Sequence, residues 1–229
     1  MMSERPATPD PADAAWSSLH GGVQPSRVVR GWLRLVRALA GGPLLRVPPD
    51  ALSAAGVVAL AGAWWCAATP GWAALAVPLI VAAGVLDGLD GAVALRTGRA
   101  RPLGAVVDAV ADRLGDSLLG AVLLALGAPL GWVAAAVLLV FVHEYLRARA
   151  QSVGMPGVGA VTIAERPTRL IVVGLAAAGE ALFPAGLPPV GWSGAATMAV
   201  TWTAIGVVGL GQLIAGVRRS IPPRFPPDR

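Results

Sequence analysis

The stretch WAALAVPLIVAAGVLDGLDGAVAL, residues 72–95, decides the fold class of this chain. It is long enough to cross the hydrocarbon core of a bilayer, which takes roughly 17 to 25 apolar residues in a helix. Further apolar stretches of similar length lie at about residues 51–69, 104–127, 130–147, 168–184 and 192–216. With 55% hydrophobic residues, 14% charged residues and a mean hydropathy of +0.67, the chain is predicted to be an all-α polytopic membrane protein with six transmembrane helices.

Arginine is distributed unequally between the two ends of these stretches. The turns at 69–71, 127–129 and 183–189 are rich in Pro and Gly and contain no Arg. The other connections and the C-terminus contain Arg96, Arg99, Arg101, Arg147, Arg149, Arg166, Arg169, Arg218, Arg219, Arg224 and Arg229. Because cytoplasmic loops are enriched in Lys and Arg, both termini are predicted to be cytoplasmic, with the protein in the plasma membrane. We interpret the net charge of +5 as a topology signal and expect no nucleic-acid partner.

The remaining segments predict the domain organisation. Residues 1–26 are polar and Pro-rich and lack the apolar core of a signal peptide, so they predict a disordered cytoplasmic tail. Residues 27–47 place apolar residues and arginines on opposite faces of a helix, which predicts an amphipathic surface helix and linker. The six-helix domain is predicted at 48–217, followed by a cytoplasmic tail at 218–229. A single cysteine, Cys66, excludes an internal disulfide and a Cys-based zinc site.

Charged residues lie inside two neighbouring apolar stretches, where each costs roughly 2.5 to 3.5 kcal/mol on insertion scales. They are Asp87 and Asp90 in the second stretch and Asp108, Asp112, Arg113 and Asp116 in the third. Spacings of three and four residues place the acids of each helix on one face. Since the two helices are antiparallel neighbours with a short connection, the two acidic faces are predicted to meet at the same cytoplasmic depth.

Several carboxylates beside one arginine leave an excess of negative charge, which cations or shared protons must neutralise. Oxygen ligands without His or Cys favour Mg²⁺, Mn²⁺ or Ca²⁺ over zinc. Four acids are also about the number that a two-metal site uses, with ions roughly 3.5 to 4 Å apart, for displacement at phosphorus. The alternative is a set of intramembrane salt bridges, although Arg113 pairs with two of the acids at most.

Together these residues form a recognisable pattern. Asp87-Gly88-Leu89-Asp90-Gly91-Ala92-Val93-Ala94, followed by Gly104, Asp108 and Asp112, resembles the signature D-x-x-D-G-x-x-A-R-x8-G-x3-D-x3-D of the CDP-alcohol phosphatidyltransferases. Leu95 stands where that signature has Arg, and Arg96 follows it. The stretches 145–150 and 164–169 resemble the branch of the family that makes phosphatidylinositol phosphate. The resemblance covers roughly residues 48–217.

This resemblance implies transfer of a phosphatidyl group from CDP-diacylglycerol to the hydroxyl of a polar acceptor, with release of CMP. It implies that two divalent ions, Mg²⁺ or Mn²⁺, are held by Asp87, Asp90, Asp108 and Asp112, and that Asp112 also acts as the base. It further implies a homodimer among membrane lipids, with the active site facing the cytoplasm.

The resemblance also assigns the substrate contacts. The CDP-lipid is expected at Asp50, Ser53, Gly91, Ala94 and Arg101, where Gly91 allows the nucleotide to approach the helix closely. Arg147, Arg166 and Arg169 are the candidates for a phosphate on the acceptor, because guanidinium groups bind phosphate through paired hydrogen bonds. Ordinary topology-setting arginines are the alternative for these three positions.

The acceptor is predicted to be phosphorylated, with inositol phosphate ahead of glycerol phosphate. A carboxylate-based divalent cation transporter remains the alternative from another class, since intramembrane acids also build ion pathways. Against it, the acids lie near one membrane face and no helix breaker lies at mid-membrane. A relative that binds CDP-lipid without turnover is a third alternative, to which the departure at Leu95 points.

Overall fold

The structure is a computed structural model that describes residues 27–188 and 191–221. Within these residues the regular structure is helical, and Leu187 and Trp192 form an isolated antiparallel bridge. The helices are α1 (Arg27–Leu39), α2 (Pro49–Ala68), α3 (Ala73–Arg96), α4 (Pro102–Ala125), α5 (Leu130–Ser152), α6 (Arg166–Leu182) and α7 (Gly194–Ser220), and a 3-10 turn, Gly42–Arg46, links α1 to α2. The predicted all-α class is confirmed.

Helices α2 to α7 coincide with the six apolar stretches. By length and composition, four of them are able to cross a membrane, namely α2, α3, α5 and α7. Helix α4 is 24 residues long but contains the charged residues Asp108, Asp112, Arg113 and Asp116. Helix α6 has 17 residues and begins with Arg166. The protein therefore has the helices of a membrane protein, while the count of six spans stays a prediction.

The ends of the chain differ in part from the predicted boundaries. Helix α7 continues to Ser220, so that Arg218 and Arg219 lie in its last turn, where cations interact favourably with the helix dipole. The helix predicted in 27–47 is present as α1, and Val36 packs with Leu89 and Val93 of α3. The tail predicted at 1–26 lies outside the described residues, as does most of the tail predicted at 218–229.

Packing between the helices determines where the charged residues meet. Helix α2 packs against both α3 and α4, α6 packs against α3 and α7, and α5 packs against α7. Glycine permits close approach at these crossings: a Cβ added to Gly206 of α7 would lie 3.1 Å from Leu139 Cδ1 of α5. Large apolar side chains such as Leu138 and Ile171 are exposed on the outside, as expected for helices surrounded by lipid.

Helices α3 and α4 hardly pack against each other, because both are held by α2 and α6. This arrangement leaves space for side chains between the end of α3 and the beginning of α4. The end of α5 and the beginning of α6 lie at the same end of the bundle, since α3 to α6 alternate in direction. The charged residues of four helices are thereby collected in one region.

Candidate metal centre and substrate site

Three acids of the predicted metal site lie together between α3 and α4. One carboxylate oxygen each from Asp87, Asp108 and Asp112 lies within 4.8 Å of the other two. All three side chains are partly buried. The two helices thus present acids to a common point, as the spacing predicts. We use the name acid-rich cluster for these three residues together with Asp90.

Asp90 is oriented by the neighbouring helix α2. Ser53 Oγ donates a hydrogen bond of 2.5 Å to Asp90 Oδ2, and the backbone N–H of Gly91 donates to Asp90 Oδ1. The side chain of Asp90 is buried. Ser53, for which the resemblance implies a contact with the CDP-lipid, thus fixes the orientation of a member of the acid-rich cluster.

Arg166, the first residue of α6, reaches into the acid-rich cluster. Its Nε lies 2.9 Å from Asp87 Oδ1, and its Nη1 lies 2.5 Å from Asp112 Oδ1. The same Nη1 donates a hydrogen bond of 3.2 Å to the backbone oxygen of Asp112. No local sequence pattern indicates these contacts, because Asp112 and Arg166 are far apart in the chain.

The other residues predicted for the CDP-lipid form the rim of the same region. Arg101 and Asp50 form an ion pair of 2.5 Å, and a Cβ added to Gly104 would lie 3.8 Å from Asp50 Oδ1. Gly91 is exposed, and a Cβ added there would meet no atom within 4 Å. Ala94 is half-buried one turn further along α3. Asp50, Gly91 and Arg101 are therefore accessible to a ligand.

Leu95 replaces the signature arginine at an exposed position, with 66% of its surface accessible. The neighbouring Arg96 donates a hydrogen bond of 2.5 Å to the backbone oxygen of Ala40, just after α1. Arg101 lies beside Asp50 instead. Arg101 therefore lies next to a residue predicted to contact the CDP-lipid.

A second group of charges surrounds Arg169, one turn after Arg166. The guanidinium of Arg169 is 1% exposed and contacts Asp116 Oδ2 at 3.0 Å and Glu144 Oε1 at 2.7 Å. Its Nε also donates to the backbone oxygen of Ala164. Arg113 Nη2 lies 2.9 Å from the same Asp116 oxygen. Asp116 is thus paired within the protein and is not a member of the acid-rich cluster, although its spacing on α4 places it on the same face as Asp108 and Asp112.

Arg147 extends this group to the connection between α5 and α6. Its Nη2 lies 2.8 Å from Glu165 Oε1, and its Nη1 lies 3.5 Å from Glu144 Oε2. Burial alone would raise the pKa of the Glu165 carboxyl, but the hydrogen bond and charge of Arg147 and the backbone N–H of Thr162 hold that pKa below its usual value. The Thr162 hydroxyl also donates to Glu165 and contacts His143 Nε2 at 3.2 Å.

We use the name balanced network for Asp116, Glu144, Glu165, Arg113, Arg147 and Arg169. It contains three carboxylates and three guanidinium groups. The acid-rich cluster has four carboxylates and contacts Arg166, and Arg113 Nη2 lies 3.8 Å from Asp112 Oδ2. From the sequence, Glu144 and the neighbouring His143 are expected to be a helix-packing pair and not ligands. The separation of three residues between Glu144 and Arg147, a spacing at which helical side chains meet, was an available signal.

The connection between α5 and α6 is fixed on α7, which in turn positions Arg166. The side-chain oxygen of Gln212 accepts a hydrogen bond of 2.9 Å from the backbone N–H of Ile163. Gly216 of α7 leaves room for the backbone of Gly159, whose carbonyl oxygen would lie 2.6 Å from a Cβ at that position. These contacts fix the position of the first turn of α6, which contains Arg166, relative to α7.

The donor set of the acid-rich cluster fits a hard divalent ion. Carboxylate oxygens from Asp87, Asp108 and Asp112 converge, and no His or Cys is among them. Hard cations such as Mg²⁺, Mn²⁺ and Ca²⁺ prefer such oxygen ligands. The surplus of carboxylates over guanidinium groups gives an electrostatic reason for a cation to bind here.

An all-helical membrane fold with an acid-rich site between two helices is the setting of a membrane-embedded phosphotransfer enzyme. The chain belongs to the CDP-alcohol phosphatidyltransferase family, whose model matches residues 46–210. The match includes the acid-rich cluster and the balanced network.

Individual relatives of this chain are described more specifically than the family as a whole. The chain is 37% identical over 152 residues to phosphatidylinositol phosphate synthase of Mycobacterium marinum, which covers 55% of this chain and 61% of the relative. It is also 37% identical over 117 residues to archaetidylinositol phosphate synthase of Methanothermobacter thermautotrophicus, covering 47% of this chain and 57% of the relative. In these matches the chain spans about three fifths of each relative's length.

Solved structures share the fold over most of the chain. Phosphatidylinositol phosphate synthase of Mycobacterium tuberculosis with CDP-DAG bound superposes with a TM-score of 0.64 at 28% identity, covering 82% of this chain and 95% of that one. The complex of the same synthase with manganese and citrate gives a TM-score of 0.62 at 25% identity, covering 82% and 90%. The similar proteins thus include one crystallised with a nucleotide-linked lipid and with a divalent metal.

Proposed function

We propose that this protein transfers a phosphatidyl group from CDP-diacylglycerol to a hydroxyl of a small phosphorylated alcohol and releases CMP. The observation that carries the proposal is the convergence of Asp87, Asp108 and Asp112 between two helices in a member of the CDP-alcohol phosphatidyltransferase family. Inositol phosphate is the favoured acceptor, because the relatives described above are named as inositol phosphate lipid synthases.

Asp87, Asp90, Asp108 and Asp112 would hold two divalent ions, Mg²⁺ or Mn²⁺. When bound, such ions neutralise the diphosphate and stabilise the leaving phosphate. Ser53 contributes by fixing the orientation of Asp90 through its hydrogen bond. Helix α2 therefore supports the ligand set from outside, as hydrogen-bonded partners of metal ligands commonly do.

Asp112 is the proposed general base. In the reaction the acceptor oxygen forms a bond to the phosphorus of the phosphatidyl group, and the bond from that phosphorus to the CMP oxygen breaks. The acceptor proton passes to the Asp112 carboxylate, and the electron pair of the broken bond leaves with CMP. Asp112 lies at the cluster edge that faces Arg166, so an acceptor held by that arginine would approach the correct carboxylate.

The two substrates have separate binding residues in this proposal. Asp50, Ser53, Gly91, Ala94 and Arg101 would contact the CDP-lipid, and the open space above Gly91 supports a close approach of the nucleotide. Arg147, Arg166 and Arg169 remain the candidates for the acceptor phosphate, with Arg166 foremost because its guanidinium is beside the acids. Arg147 and Arg169 are engaged with carboxylates, which supports a role in positioning Arg166.

The proposed setting is a homodimer in the plasma membrane, with both termini and the active site on the cytoplasmic side. The arginine-rich ends of the apolar stretches support this orientation. The acid-rich cluster lies at the same end of the bundle as Arg101 and Arg147.

Product identification tests the proposed function. Purified protein is incubated with CDP-diacylglycerol, Mn²⁺ and, in separate reactions, inositol phosphate, glycerol phosphate, inositol or serine. Release of CMP is measured together with the mass of the lipid product. We expect turnover with inositol phosphate. Turnover with glycerol phosphate alone would replace the acceptor, and absence of CMP release with every acceptor, in protein that binds CDP-diacylglycerol, would contradict the enzyme assignment.

A further inference from the structure

We propose that Arg166 is an internal counter-cation of the acid-rich cluster, which competes with divalent metal for Asp87 and Asp112. Binding of metal and release of the guanidinium are then one equilibrium. The inference rests on the proposed function, because it takes the acid-rich cluster to be the metal site.

Arg166 contacts two of the carboxylates that are predicted to bind metal. Its Nε and Nη1 reach one oxygen each of Asp87 and Asp112, at 2.9 and 2.5 Å. Those two residues also belong to the group of three whose oxygens converge within 4.8 Å. The guanidinium and a metal ion would therefore draw on the same carboxylates.

Electrostatics makes the two cations exclusive in this position. A divalent ion bound to Asp87 and Asp112 would lie within a few ångströms of the guanidinium, where two positive charges repel strongly in a partly buried site. The carboxylates also cannot be shared fully, because the ion pairs with Arg166 already engage one oxygen of each. Metal binding must therefore move the guanidinium away.

The surroundings of Arg166 show a built position for its guanidinium. A Cβ added to Gly115 of α4 would lie 3.1 Å from Arg166 Nη2 and 3.5 Å from Nη1, so the guanidinium lies directly against the helix backbone. The anchor for the helix is Arg169, which is fixed by Asp116 and Glu144. The side chain of Arg166 is 13% exposed, which leaves it a route toward the rim.

Release of Arg166 has a consequence for the reaction. Once metal has displaced the Arg166 guanidinium, that guanidinium would be available to bind the phosphate of the acceptor beside the metal site. Metal binding and acceptor binding would then favour each other. The metal displaces the Arg166 guanidinium from the acids, and the acceptor phosphate binds the displaced guanidinium.

Metal affinity measured directly tests the competition. The full chain is purified in detergent, depleted of metal with a chelator, and titrated with Mn²⁺ alone by calorimetry. We expect Arg166→Gln to bind Mn²⁺ about tenfold more tightly than the unaltered protein, since the competing ion pairs with Asp87 and Asp112 are lost. Arg149→Gln is the matched control, because Arg149 is exposed and contacts Ser152 rather than the acids, and its affinity should be unchanged.

A charge-conserving variant separates contact from charge. Arg166→Lys keeps the positive charge but cannot form the two-point contact, so its Mn²⁺ affinity should lie between those of the unaltered protein and Arg166→Gln. It also serves as the test if Arg166→Gln does not fold without metal. An Arg166→Lys affinity equal to that of the unaltered protein would overturn the two-point competition.

The outcomes distinguish this inference from the proposed function. Equal Mn²⁺ affinity in Arg166→Gln, Arg166→Lys and the unaltered protein would overturn the competition while leaving the metal site in place. Failure of Mn²⁺ to bind to the folded unaltered protein and to both variants would overturn the metal site itself, and with it the proposed function.

Discussion

The acid-rich cluster and the balanced network share helix α4 but differ in charge. Helix α4 contributes Asp112 to the first and Asp116 to the second. Helix α6 contacts the first through Arg166 and contributes Arg169 to the second. The balanced network has a guanidinium for each carboxylate, whereas the acid-rich cluster keeps a surplus of carboxylates. Residues only three or four positions apart on one helix therefore differ in role. One charge is paired within the fold, and the next belongs to a site with excess negative charge that is able to bind a ligand.

The difference shows how a membrane protein can contain many charges and still fold. Buried ion pairs are tolerated when each charge has a partner with good geometry, and removal of one partner is strongly destabilising. An unbalanced cluster is instead a functional site by default, because its cost must be offset by a bound cation or a proton. Four variants or treatments would break or sharpen the contrast between the two groups.

Asp112→Asn should have the largest effect on activity. Loss of the proposed base and of a metal ligand is expected to reduce CMP release by about a thousandfold or more. Without added metal, circular dichroism and thermal unfolding should remain close to those of the metal-depleted unaltered protein, because the change removes one negative charge from the acid-rich cluster. Preserved turnover in this variant would remove Asp112 from the role of base.

Arg169→Met should have the largest effect on stability. It leaves the buried carboxylate of Asp116 and the partly buried carboxylate of Glu144 short of a partner, which is expected to cost about 3 to 5 kcal/mol. Thermal unfolding in detergent measures the loss, and Arg149→Gln serves as the exposed control. If Arg169→Met were as stable as that control, the balanced network would not stabilise the fold.

Metal removal should affect both activity and stability, through the acid-rich cluster. A chelator is expected to abolish CMP release and to lower the unfolding temperature, since metal at about 100 times its dissociation constant contributes about 2.7 kcal/mol. Addition of Mn²⁺ should restore both properties. The same treatment of Asp112→Asn should change the unfolding temperature less, and an equal change in both proteins would place the stabilising metal elsewhere.

Glu165→Gln should have the smallest effect and should depend on pH. Because Arg147 and Thr162 hold the pKa of Glu165 below its ordinary value of 4.5, the stability that its charge contributes is present above that value and is lost as pH falls through the folded-state pKa. The unfolding temperature of Glu165→Gln should therefore be lower than that of the unaltered protein at pH 7. The difference should narrow as pH falls below 4.5. A difference that stays constant from pH 7 to well below that value would contradict the linkage to Glu165.

Much of this architecture was predictable from local pattern. Apolar stretches placed the six helices because backbone hydrogen bonds in a membrane must be satisfied within the segment, and α2 to α7 coincide with those stretches. Asp87, Asp108 and Asp112 were predicted to meet because their spacing puts them on facing sides of consecutive helices. Asp50 and Arg101 were both assigned to the donor site, and the structure pairs them.

Other contacts depended on residues distant in the chain. Asp116 has the same spacing as Asp108 and Asp112, yet it is neutralised by Arg169, which is 53 residues away. Arg166 was assigned to a phosphate, yet it contacts Asp87 and Asp112. No periodicity within one helix indicates which helix will pack beside it, so the partners of these charges could not be read from spacing.

The sequence by itself determined the helical membrane fold, the excess of acids on two helices and the family to which the chain belongs. Hydrophobic length and residue spacing are local properties, and a helix turns them directly into a span and a face. Only the tertiary structure decided which acids are neutralised by arginine within the protein and which remain in excess for a ligand. Helix α6 places Arg169 against Asp116 and Arg166 at the edge of the acid-rich cluster. That division depends on how α6 packs between α3 and α7. This packing is determined by the fit of side chains between helices, which the spacing within a single helix does not specify.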